Sequence, residues 1–115
     1  MKGFKDNIEK ETLANENFRK VLYTGKHLQL VLMSLEAGED IGEETHPDTH
    51  QFFRFESGTG TCVIDGNEYS VAAGDVIVVP AGAKHNIINT GTSAPFKMYT
   101  LYGPPNHKDG TIRAT

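Results

Sequence analysis

The chain has 115 residues, of which 37% are hydrophobic and 23% charged, with a formal net charge of -4, a composition that describes one globular domain with a single core. No apolar run approaches the roughly eighteen residues of a membrane span, and the acidic balance offers no basic patch for nucleic acid. The lone cysteine, Cys62, excludes an internal disulfide and a thiolate zinc knuckle.

The opening MKGFKDNIEK lacks the apolar segment of a secretory signal, so the expected setting is a reducing cytoplasm. Residues 1–20 mix charges with sparse apolar positions and predict a short helix or an extended arm outside the core, able to pair with the sheet edge of a second copy. Residues 21–102 are expected to form the barrel. From RKVLYT onward, short runs rich in Val, Ile, Leu, Phe and Tyr follow one another: HLQLVLMSL, QFFRFE, TCVI, EYSVA, DVIVVP, HNIIN and FKMYTLY. Turn residues separate them, and Asp65-Gly66 is the strongest hairpin signal, because both residue types accept positive φ. Seven or eight short strands without a long helical pattern predict an all-β sandwich or barrel. The polar tail, 103–115, is expected to run over the surface, across a barrel mouth or a neighbouring subunit.

The spacing of a few residues is more specific than their composition. GDVIVVPAGAKHNIIN sets Gly74, Pro80, Gly82, His85 and Asn89 at the intervals G(X)5PXG(X)2H(X)3N, which resembles the second motif of the cupin superfamily at every position. The first cupin motif, G(X)5HXH(X)3-4E(X)6G, is matched in spacing by Gly38, Glu44, His46, Gln51 and Gly58, with Glu in place of its first His and Gln in place of its Glu. The resemblance covers about residues 27–102 and implies a double-stranded β-helix, or jelly-roll barrel, as one domain over 1–115. It also implies a homodimer.

By the same resemblance, Glu44, His46, Gln51 and His85 are the expected metal ligands. Strand parity is consistent with that set: Glu44 and His46 share a face, and Gln51 points inward with Phe53 and Phe55, while His50, Phe52, Arg54 and Glu56 point outward. A bulge after Asp48-Thr49 would reverse the faces and make His50 the rival ligand, giving a set of Glu44, His46, His50 and His85. Two imidazoles, a carboxylate and an amide oxygen suit one divalent Mn, Fe, Co, Ni or Zn. If Gln51 only hydrogen-bonds, the remaining two-His, one-carboxylate face is the arrangement of non-haem Fe(II) oxygenases.

Other residues are read more plainly. His27 and His107 have no frame around them and are expected at the surface, Cys62 as a buried strand residue, and Arg54 in a surface ion pair or dimer interface. Tyr99 and Tyr102 lie on opposite faces of the last strand, so only one can enter the cavity as a phenolic hydrogen-bond donor or general acid. The family's range leaves three functions open: a metal-dependent isomerase or tautomerase acting on a sugar-like or keto-acid substrate, an Fe(II) dioxygenase, and a non-catalytic metal-binding or sensor module. In size and in its Gln, the chain resembles the small cupins that convert unsaturated uronic acids to open-chain keto forms.

Overall fold

A computed structural model describes all residues from Met1 to Thr115. Helix α1 (Ile8–Ala14) precedes ten strands: β1 (Arg19–Thr24), β2 (Gln29–Leu35), β3 (Glu44–Thr45), β4 (His50–Ser57), β5 (Thr59–Ile64), β6 (Asn67–Ala72), β7 (Val76–Val79), β8 (Lys84–Ile88), β9 (Phe96–Gly103) and β10 (Ile112–Arg113). They form two antiparallel sheets, one of six strands in the order β10-β1-β2-β9-β4-β7 and one of four in the order β3-β8-β5-β6. The eight apolar runs of the sequence are all strands. The two further strands, β3 and β10, are two residues long, too short to carry an alternation of their own.

One core of 14 buried residues takes side chains from both sheets, among them Val31, Phe53 and Met98 from the larger and Cys62, Val71 and Ile87 from the smaller. This is the jelly-roll arrangement, in which each sheet buries one face against the other. Strand β4 shows the parity that builds it: Gln51, Phe53 and Phe55 are buried, whereas Phe52, Arg54 and Glu56 are only half-buried. The rings of Phe53 and Phe55 lie parallel, 6.2 Å apart, and Phe55 stacks on Phe96 at 4.8 Å. On the outer face Arg54 Nε sits 3.1 Å from Glu56 Oε1.

The β5–β6 hairpin turns on Asp65 and Gly66, at φ 46 and 81, the paired positive values of a two-residue hairpin turn. Asn7 caps α1 by accepting a 2.9 Å hydrogen bond from Lys10 N, and Lys97 Nζ donates to the carbonyls of Leu13 and Asn15 at 2.9 and 2.8 Å. A cation on the last carbonyls complements the helix dipole and fastens α1 to the chain's own sheet.

The tail returns to the barrel. Residues Arg113 and Ile112 pair with Arg19 and Lys20, and the segment before them is held by Gln29, whose side chain is fully buried. Its Nε2 donates to Thr24 Oγ1 and His107 O at 3.0 and 2.7 Å, and its Oε1 accepts from Asn106 N and His107 N at 3.0 and 2.9 Å. Both amide hydrogens and both oxygen lone pairs are thereby used.

Candidate metal centre

Three local devices bring the cluster together. The β3–β8 register sets Glu44 directly opposite His85, so their side chains share a face. The turn at Pro80-Ala81-Gly82 then ties the two motifs to each other, as Gly82 N donates to His46 O at 2.9 Å. Finally Asn89, fully buried, donates through Nδ2 to Leu35 O and Ala94 O at 3.0 and 2.9 Å and accepts from Gly91 N at 2.9 Å. The last residue of the second motif thus anchors the loop that follows β8.

One donor atom each from Glu44, His46 and His85 lies within 4.8 Å of the others. Two ligands about 2.1 Å from one divalent ion stand roughly 3–4 Å apart, so small side-chain movements bring this triad into ligating range. Gln51 faces it from β4: its Oε1 lies 3.0 Å from His85 Nε2, and its Nε2 donates to Thr100 Oγ1 at 3.0 Å. His50, by contrast, is exposed on the rim, and its Nδ1 accepts from Ala81 N at 3.0 Å. No bulge interrupts the register between His50 and Phe55.

The donor chemistry fits a cation. His46 Nε2 lies 3.0 Å from Glu44 Oε2, yet the approach is off the axis of a ring N–H, and this buried nitrogen has no hydrogen-bond partner. His85 Nδ1 faces the carbonyl of Ala83 at 3.2 Å, which can only accept, so that nitrogen carries a hydrogen. With Nε2 free to ligate, its lone pair faces the Gln51 oxygen. A cation between the two relieves that repulsion; so does a half-turn of the amide, which lets its nitrogen donate to His85 and its oxygen accept from Thr100. Burial lowers the pKa of His46 against the raising effect of Glu44, which favours the neutral form that ligates.

Parity separates the two tyrosines. Tyr102 is inside, 1% exposed, with its ring edge-on to His46 at 5.8 Å. Tyr99 is on the outer face against Phe52, 6.3 Å away, and does not reach the cluster. The Tyr102 hydroxyl lies 3.1 Å from His107 Nε2. Burial raises the phenol well above its ordinary value, with Arg19 opposing. Burial, then Arg19 and His46, push His107 down to about 4, so the neutral ring accepts the phenolic hydrogen. His107, expected at the surface, is half-buried with its ring edge-on to Tyr102 at 5.1 Å, whereas His27 is exposed.

Arg19 also escaped the sequence reading. It is 7% exposed and brings Nη2 to 3.9 Å from Glu44 Oε1. A signal existed, since Arg19 shares strand parity with the buried Val21, and Gln29 likewise shares it with Val31 and Met33. Cys62 is fully buried, and burial pushes its thiol up to about 11, so it is no nucleophile at neutral pH. A surface concavity of about 630 Å3 opens between Glu16, Ser34, Thr92 and Lys97 and is lined by none of the donors. No helix is long and apolar enough to cross a membrane.

Comparison with known proteins agrees with the fold. The protein YrkC of Bacillus subtilis (strain 168) is 47% identical over 120 residues, which cover 99% of this chain and 64% of YrkC, so the chain spans less than two thirds of that relative. The crystal structure of BH2720 from Bacillus halodurans superposes with a TM-score of 0.95 at 43% identity, covering 99% of this chain and 90% of the other. Quercetin 2,3-dioxygenase of Bacillus subtilis (strain 168) is 29% identical over 84 residues, 73% of this chain and 25% of the enzyme. The family model for the cupin domain matches residues 31–102, and the chain belongs to the cupin family.

Proposed function

We propose that this cupin is a small metal-dependent enzyme that isomerises or tautomerises a sugar-like or keto-acid molecule, with Glu44, His46, Gln51 and His85 holding one divalent Mn, Fe, Co, Ni or Zn. The observation that carries the reading is convergence: one donor atom each from Glu44, His46 and His85 lies within 4.8 Å of the others, and the Gln51 oxygen stands 3.0 Å from His85 Nε2. When bound, such an ion supplies Lewis acidity that polarises a carbonyl or hydroxyl. The chain's own groups do the rest. Thr100 orients the Gln51 amide, Phe53 and Phe55 wall the interior against water, and Tyr102 holds a phenolic proton between the cluster and His107. A protonated phenol beside a neutral imidazole suits proton transfer to and from a substrate oxygen.

A second reading, an Fe(II) dioxygenase, is favoured by the two-His, one-carboxylate triad and by the similarity to quercetin 2,3-dioxygenase. Metal analysis of protein purified without chelator or added metal tests both. Glu44→Ala and His85→Ala are expected to abolish metal uptake, and His50→Ala to spare it. Solvent deuterium entering a keto acid or ketose at the carbon beside the carbonyl, and lost in Tyr102→Phe with metal retained, marks the isomerase; oxygen consumption marks the dioxygenase. Loss of metal in His50→Ala with retention in Gln51→Ala overturns the ligand set in favour of the His50 rival.

A further inference from the structure

The donor cluster leaves a buried cation without an adequate partner. Arg19 is 7% exposed, its Nε has no hydrogen-bond partner, and its nearest carboxylate oxygen, on Glu44, is 3.9 Å away, beyond hydrogen-bond reach. A charge so buried requires pairing to be tolerated. The fold then places a second guanidinium beside it. Arg19 and Arg113 are direct partners across β1 and β10, where side chains share a face and like charges repel. Both lie over the ring of Phe18, with Cζ 5.2 and 5.8 Å from its centroid. The ring attracts both guanidiniums and cannot neutralise either.

The surrounding charge has the same sign. Of the fixed charges acting on His46, Tyr102 and His107, those of Arg19 and Arg113 are positive and that of Glu44 is the single negative one. A chain with a net charge of -4 has thus gathered positive charge at its one donor cluster, before any divalent ion adds more. The unpaired Nε and its neighbouring Nη form an edge with two parallel donors, the fork that matches a carboxylate.

We propose that Arg19 and Arg113 receive the carboxylate of a small organic acid whose carbonyl or hydroxyl oxygen meets the donor cluster, so that the substrate is an anion. This deepens the function proposed above and rests on Glu44, His46, Gln51 and His85 being the metal donors. An acid anchored at Arg19 lies beside the donor cluster, since the guanidinium is 3.9 Å from Glu44 Oε1. Such a receptor also explains why the tail must fold back, since β10 delivers Arg113.

Calorimetric titration of the full chain, loaded with nickel(II) or treated with chelator, compares pyruvate with its neutral amide, pyruvamide. Pyruvate is expected to bind, and pyruvamide at least tenfold more weakly. Arg19→Gln and Arg113→Gln are each expected to weaken pyruvate by about ten- to a hundredfold, the worth of a charged hydrogen bond, with pyruvamide and nickel content unchanged. Arg113 is exposed, so its variant carries the test even if Arg19→Gln fails to fold. Equal affinity for the two probes, no pyruvate binding at millimolar concentration, or pyruvate affinity unaltered in Arg113→Gln overturns the proposal. Pyruvate binding that depends on both arginines in a protein that takes up no nickel keeps the receptor and removes the metal reading instead.

Discussion

Gln29→Leu tests how the site is closed, because one buried amide fastens the segment that carries His107 and Arg113. Leucine keeps the volume and hydrophobic character suited to a fully buried position, and removes four hydrogen bonds, three of them to the backbone of Asn106 and His107. At a net worth of about 0.5–1.5 kcal/mol each, the three tail bonds amount to roughly 1.5–4.5 kcal/mol. The tail is expected to release rather than leave its amides buried and unpaired, since water then satisfies them. With a urea m-value of about 1–1.5 kcal/mol/M for a small domain, a mid-range loss of about 3 kcal/mol lowers the unfolding midpoint by about 2–3 M. Hydrogen exchange should accelerate over residues 106–113, and His107, freed of its burial, should titrate near the ordinary value of about 6.5 in place of about 4. Unchanged exchange of the tail, a midpoint shift below about 0.5 M and a His107 that still titrates low would refute the clamp.

Two other outcomes follow from particular positions. The folded pKa of His107 is lowered, so the unfolded chain binds the proton first as pH falls; the stability this group contributes is complete above about 6.5 and is lost as pH drops from there toward about 4. Its ring is only half-buried, and after discounting for solvent the loss is about 1–2 kcal/mol; urea titrations at pH 7 and 4.5 should show it in the wild type and a smaller drop in His107→Gln, and equal drops would count against it. Gly58 and Gly74 both sit at φ +93, but a Cβ on Gly58 would meet Pro95 O at 2.6 Å whereas one on Gly74 meets nothing within 4 Å. Gly74→Ala should therefore cost only the left-handed backbone, about 1–2 kcal/mol, and Gly58→Ala clearly more, about 3 kcal/mol or above; equal losses in chemical denaturation would show that the contact with Pro95 is relieved at no cost.

The fold was legible because its signals are local or evenly spaced. Alternation over the apolar runs located eight strands, Asp65-Gly66 located the tight hairpin, and the parity of Gln51, Phe53 and Phe55 separated the interior of β4 from its outer face. The motif spacings placed Glu44, His46 and His85 in one cluster. What stayed hidden depends on contacts distant in sequence. His107 reaches Tyr102 because Gln29, 78 residues away, binds its backbone, and nothing within a polar tail announces that partner. Arg19 could have been noticed as a charge at an inward parity position, but only its packing shows that it lacks a hydrogen-bonded counterion. The two-residue strands β3 and β10 are defined by the strands they pair with, so no pattern within them could reveal them.

The exchange of residues within the first motif acquires a physical sense from burial. Position 51 is 1% exposed, and a carboxylate there would be costly to bury without a cation, whereas an amide needs only hydrogen bonds. With its amide turned so that the nitrogen donates to His85 and the oxygen accepts from Thr100, Gln51 makes both. The carboxylate sits instead at Glu44, on the half-exposed strand β3, where water and Arg19 temper its charge. The barrel can therefore close with no carboxylate at position 51, and cation binding becomes an addition to a completed fold rather than a condition for it. Gln51→Glu separates these alternatives. It should lower the stability of the metal-free protein, because a buried charge replaces a satisfied amide, and raise metal affinity, because the donor set gains a second carboxylate. Thermal denaturation with and without chelator measures both effects, and a metal-free Gln51→Glu protein as stable as the wild type would show that position 51 tolerates charge and that burial did not dictate the amide.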